Sequence, residues 1–123
     1  MYRAEVIVDL GAIESNVKRI LGGTKAIGLA VVKADAYGHG LIPVAERALR
    51  AGAKWLGTAL LEEAIALRES GIRAPIIAWL TPTTDDFEAA LLNEIELSVP
   101  SLDHLESLMK AATKRNIQPR IHL

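Results

Sequence analysis

Cysteine is missing from all 123 residues, which excludes both a disulfide framework and a thiolate metal site. Aromatic residues are scarce, at 4%, and no basic run is interleaved with them. With a formal net charge of −1 the chain has nothing to attract nucleic acid or an anionic membrane, so neither is expected as a partner. No apolar run approaches the roughly 20 residues that a bilayer-spanning helix requires. The N-terminus, Met1 to Leu10, alternates apolar and charged residues, so no signal peptide is expected. His39, His104 and His122 lack the paired spacing of metal ligands, and no metal is expected. Half of the residues are hydrophobic and 24% are charged, the composition of a globular chain, for which a cytoplasmic location is expected.

Strand and helix signals alternate along the sequence. A first strand is read over Arg3 to Val8. Asp9 then caps a helix whose inner face is Ile13, Val17, Ile20 and Leu21, ended by Gly22 and Gly23. There follow a strand to Lys33, a helix from Leu41 to Arg50, a strand from Lys54 to Leu60, a helix from Glu62 to Glu69 and a strand from Pro75 to Leu80. Ile95 to Val99 and Arg120 to Leu123 read as two more strands, around a helix capped by Ser101 and closed by Lys114 and Arg115. The fold class is therefore α/β: a partial (β/α)8 TIM-type barrel supplying about five of eight strands.

One segment carries chemistry: Ala30-Val-Val-Lys-Ala-Asp-Ala-Tyr-Gly-His-Gly40. Ile27 to Val32 is short, apolar and uncharged, and is expected to be buried on both faces, as in a parallel sheet. Lys33 then stands at the carboxyl end, where strand-to-helix loops of α/β folds converge on ligands. A lysine after a strand also simply marks where a chain meets water. A partly desolvated one, however, can act as a nucleophilic amine toward an aldehyde and as a proton shuttle. Gly38 and Gly40 permit positive φ, and the helix starting at Leu41, with Pro43 in its first turn, is expected to aim free N–H groups at the same mouth as a phosphate cradle. Tyr37 is placed to reach a phosphate oxygen. Lysine, cradle and phenol together suggest pyridoxal phosphate. His39 and Asp35 are read as ordering the loop rather than as acids or bases.

This segment resembles the signature of the alanine racemases. Asp9-Leu10-Gly11-Ala12-Ile13 with Asn16, Gly57-Thr-Ala-Leu-Leu-Glu-Glu-Ala64 and Leu67-Arg-Glu-Ser-Gly71-Ile72 resemble further collinear stretches of that family. The resemblance implies interconversion of L- and D-alanine, with D-alanine destined for peptidoglycan. It assigns Lys33 as the cofactor-bearing lysine and base on the D-alanine side, Tyr37 as a phenol on the cofactor phosphate, and Trp79 as a side chain near the cofactor. Trp79 is equally readable as ordinary packing at a barrel mouth. The resemblance further implies a homodimer, with the opposite-face tyrosine coming from the partner subunit and lying beyond Leu123. It also implies that 1–9 form a strand pairing with a later β domain, and that 10–123 are the N-terminal part of the cofactor-binding barrel. On this reading the chain is a fragment, inactive alone and marginally stable. A racemase for serine or for several amino acids, a non-catalytic pyridoxal-phosphate barrel protein and a purely structural half-barrel remain open alternatives.

Overall fold

The computed structural model describes residues 3–123. Five parallel strands form one sheet, ordered β1 (Leu29–Val31), β2 (Trp55–Thr58), β3 (Ile76–Ala78), β4 (Ile95–Ser98) and β5 (Ile121–His122). Helix α1 (Leu10–Gly22) precedes β1, and the short turn α2 (Lys33–Gly38) and helix α3 (Leu41–Arg50) follow it. Helices α4 (Leu61–Glu69), α5 (Phe87–Leu92) and α6 (Leu102–Arg115) fill the remaining connections. Each strand pairs with the next in sequence and every crossover is helical, the winding of a β/α barrel, of which five strands are present.

Strand register separates the two faces of the sheet. Leu56, Ile76 and Ile95 share one row and Thr58, Ala78 and Leu97 another. Their apolar members pack with Ala64, Leu67, Ala90, Leu91 and Leu108 of the helices into a single core. On the other face, which a closed barrel would turn inward, stand Val31, Gly57, Ile77 and Glu96. Three of these are buried, whereas Val31 at the edge is 54% exposed. The expectation that Ile27 to Val32 is covered on both faces is thus corrected: Ile27, Leu29 and Val31 are exposed, and only Val32 is buried. The reason is position, since β1 has a neighbour on one side only.

Helix ends follow their sequence signals. The Asp9 carboxylate accepts from Ala12 N–H at 2.9 Å, and the Ser101 hydroxyl from His104 N–H at 3.3 Å. Lys114 and Arg115 also reach the Glu88 carboxylate across to α5, and these hydrogen bonds hold Glu88 below its ordinary pKa. Helix α5, capped by Asp86 on Ala89 N–H at 2.9 Å, stands where the sequence pattern predicts no helix. The inner face expected of α1 is only half covered. Ile13, Val17 and Leu21 are part-buried and Ile20 is exposed, because α1 packs on α3 rather than on the sheet. Residues 3–8, expected as a strand, pair with no other described residue, and Val6 and Ile7 are exposed. Met1 and Tyr2, the start of the segment assigned to residues 1–9, lie outside the described residues.

Below the strands, Arg68 of α4 joins two connections. Its guanidinium donates to the carbonyls of Ile72 (2.8 Å), Ala74 (3.1 Å), Asn93 (2.8 Å) and Glu94 (3.1 Å). The chain ends of α4 and α5 are thereby satisfied by one side chain. Desolvation by burial lowers the guanidinium pKa from its usual value.

Candidate active site

Lys33 leaves the end of β1 half-buried, after Val32 N–H has made a last ladder bond to Gly57 O at 2.9 Å. The chain then winds the wrong way. Ala34, Asp35, Ala36 and Tyr37 all have φ between 49° and 55° and ψ between 37° and 50°, a full left-handed turn of non-glycine residues. Each such residue costs about 1–2 kcal/mol, so the turn persists only because its surroundings over-determine it. Its effect is to fold Tyr37 back under the preceding side chain, with Lys33 Nζ 5.1 Å from the centre of the phenol ring.

Most restraints on the turn are local. Ala36 N–H donates to Val32 O at 3.0 Å and Gly40 N–H to Asp35 O at 3.0 Å. The His39 ring shares a hydrogen bond between Nδ1 and Ala36 O at 2.8 Å, and Asp35 Oδ1 accepts from Leu41 N–H at 2.7 Å. His39 and Asp35 accordingly order the loop, as their sequence context indicates. Gly38 and Gly40, at φ 83° and 94°, return the chain to α3 through a conformation that a Cβ would strain. The remaining restraint is long-range. Glu63, in the first turn of α4, accepts from Ala34 N–H on Oε1 at 2.5 Å and from Ala59 and Leu60 N–H on Oε2 at 3.0 Å each. Sequence reasoning missed Glu63. Its signal is a Leu60-x-x-Glu63 spacing that lacks the serine or threonine of a capping box.

The phosphate cradle expected at the start of α3 is reduced to one amide, Ile42 N–H, which bonds no protein acceptor. Leu41 N–H is taken by the Asp35 carboxylate, Pro43 has none, and Val44 N–H bonds Gly40 O at 3.2 Å. A carboxylate on a helix N-terminus also opposes a second anion. Of the groups expected to hold a phosphate, Tyr37 stands beside Lys33, while the N-terminus of α3 offers Ile42 N–H alone.

Trp79 follows β3, its N–H donating to Thr58 O at 3.2 Å, and its indole lies over β2. A Cβ added at Gly57 would stand 2.2 Å from Trp79 Cη2 and 3.0 Å from Leu29 Cδ2, so the ring occupies that space only because residue 57 has no side chain. Val31, Gly57 and Ile77 share one register row, which sets Lys33 and Trp79 beyond the carboxyl ends of strands two apart. The other histidines are engaged elsewhere. His104 is buried against Phe87 and shares a 3.2 Å hydrogen bond with Thr81. His122 and Arg120 both meet Glu96, at 2.7 and 3.1 Å, beside the Trp55 ring.

No helix among the described residues is long and apolar enough to cross a membrane. Residues 8–123 match the family model described as alanine racemase, N-terminal domain. The chain is 50% identical over 113 residues to an alanine racemase of Mycolicibacterium smegmatis, covering 90% of this chain and 29% of that protein. It is 42% identical over 123 residues to that of Salinispora tropica, covering 100% of this chain and 33% of that protein. The crystal structure of alanine racemase from D-cycloserine-producing Streptomyces lavendulae superposes with a TM-score of 0.91 at 39% identity, covering 94% of this chain and 31% of that one. The chain thus spans about a third of the length of the relatives it matches. With the family model matched over residues 8–123 and relatives 42% and 50% identical along most of the chain, the chain belongs to the alanine racemase family.

Proposed function

We propose that this chain works within a pyridoxal-phosphate-dependent alanine racemase, an isomerase that interconverts L- and D-alanine and supplies D-alanine for peptidoglycan. The observation that carries the reading is Lys33 at the mouth of the sheet, with Tyr37 turned back against its amine by the left-handed turn. Lys33 would hold the cofactor and be the catalytic base, Tyr37 would contact the cofactor phosphate, and Trp79 would border the ring. The whole enzyme is proposed to be a cytoplasmic homodimer, with residues 1–9 belonging to a later β domain and 10–123 to the cofactor-binding barrel.

When bound, pyridoxal phosphate supplies the electron sink that makes the α-hydrogen of an amino acid removable. The work of the chain's own residues is positional and acid–base. Lys33 Nζ would hold the cofactor and is the amine placed to accept an α-proton on one face of the amino acid and return it. Tyr37 keeps that amine on one side of the mouth, and the Trp79 indole covers apolar surface beside it, excluding water. Inversion requires a second acid–base group on the opposite face, which this reading places outside these 123 residues.

The test is to incubate the full-length protein with each enantiomer of alanine, serine and lysine and to follow the opposite enantiomer by chiral chromatography. Rapid conversion of alanine alone supports the reading. Serine or lysine turned over as fast as alanine moves the assignment to a broad-specificity racemase, and no turnover of any substrate by the cofactor-loaded protein refutes it.

A further inference from the structure

Among the hydrogen bonds of the described residues, those holding the turn at 34–40 are local to residues 32–44, with a single exception: Ala34 N–H to Glu63. That one carboxylate also takes the two N–H groups just ahead of α4, those of Ala59 and of the cap residue Leu60. Its two oxygens therefore staple the loop after β1 to the loop after β2, at the peptide directly following Lys33. Without the staple, the turn would keep its internal bonds yet could pivot about Val32 and Lys33, carrying the lysine with it.

We propose that Glu63 is a positioning residue for Lys33: its carboxylate clamps the left-handed turn to β2 and so fixes the direction in which the lysine amine enters the site. The chemistry of the clamp is specific. Three N–H donors converge on Glu63, so the group facing them must offer acceptors on both of its arms, which an ionised carboxylate does and an amide does not. In Glu63→Gln one arm becomes an NH2 that meets a backbone N–H, and either Ala34 or the Ala59–Leu60 pair loses its partner. In Glu63→Asp the charge stays near the first turn of α4 and can still cap it, but the side chain is one methylene too short to span to Ala34. The aspartate variant therefore separates the clamp from the cap.

The proposal rests on the reading of Lys33 as the cofactor-bearing amine, and the experiment separates the two. Full-length wild type, Glu63→Gln, Glu63→Asp and the exposed-neighbour control Glu62→Gln are compared in two ways. Amide hydrogen exchange on the cofactor-free protein reports Ala34, Ala59 and Leu60. Borohydride trapping with pyridoxal phosphate, followed by peptide mapping, reports the rate of capture at Lys33. Exchange at Ala34 is expected to quicken about tenfold or more in both Glu63 variants, with Ala59 and Leu60 held in Glu63→Asp, and capture at Lys33 to slow by a similar factor. Glu62→Gln is expected to change neither. A purely structural role would lower the fraction of folded protein and leave capture per folded molecule unchanged, which overturns the proposal, as does an unaltered Ala34 rate. If wild type captures no cofactor at Lys33, the racemase reading falls, while exchange at Ala34 in the cofactor-free protein still decides whether Glu63 clamps the turn.

Discussion

Truncating Arg68 to methionine removes four hydrogen bonds at once and leaves an apolar side chain of comparable length in a site only 7% exposed. The bond to Ile72 O is buried, so its loss orphans a carbonyl that water cannot reach, at about 1–3 kcal/mol. The bonds to Ala74, Asn93 and Glu94 are part-buried and can be rehydrated, so each contributes about 0.5–1 kcal/mol. Against that sum stands the desolvation cost of the guanidinium, which methionine avoids. A net loss of about 3 kcal/mol results, and since 1.4 kcal/mol is tenfold, strand amides that exchange through this opening should speed up roughly 100-fold. Arg68→Lys keeps the charge but offers a point donor in place of a planar fork, and should recover less than half of the loss. The assay is hydrogen exchange by mass spectrometry over the peptides containing β3 and β4 in the full-length protein. Exchange within about threefold of wild type in Arg68→Met, or complete rescue by Arg68→Lys, would show that the four carbonyls do not depend on this side chain.

Gly57→Ala puts a methyl group into the space of the Trp79 ring, so the indole must swing off β2 at a cost of about 1–3 kcal/mol. In a Trp55→Phe background the Trp79 emission should shift to longer wavelength, and unchanged emission would contradict the packing described. Asp85 is raised above its ordinary pKa, chiefly by desolvation and secondarily by Glu62, with His104 acting in the opposite sense. A raised carboxyl pKa means that the folded state binds the proton more tightly than the unfolded one, so ionised Asp85 costs stability at neutral pH. Asp85→Asn should therefore stabilise the protein at pH 7, and the gain should fade as pH drops through the raised native pKa and vanish below the unfolded value; urea midpoints across that range decide it.

Much of the barrel was legible because its strands are short apolar runs between strong breakers, and because Asp9 and Ser101 announce helix starts by side-chain chemistry. Edge position was not legible. The run Ile27 to Val32 is as apolar as a fully covered strand, and nothing local reveals that β1 has one neighbour and an open face. The loop residues His39 and Asp35 could be read from their setting, but the hand of the turn could not. Ala34-Asp-Ala-Tyr37 has no glycine to signal positive φ, and its conformation is imposed by bonds to Val32, Leu41 and Glu63. The same turn explains why the phosphate cradle is reduced, since it brings the Asp35 carboxylate onto the N–H of Leu41. Helix α5 was overlooked because its six residues are too few to display a period. Glu63 and Arg68 escaped notice for a common reason: the reach of Glu63 to Ala34 and of Arg68 to Asn93 and Glu94 ends on backbone groups of distant segments, which leave no trace in side-chain spacing.

Whether Lys33 is the amine that carries the cofactor is decided by reductive trapping. The protein is incubated with pyridoxal phosphate, reduced with borohydride and mapped by peptide mass spectrometry beside Lys33→Ala. A single pyridoxyl group on Lys33, absent from the variant, is the result predicted. Label spread over exposed lysines such as Lys25, Lys54 and Lys110, and undiminished in Lys33→Ala, would contradict it.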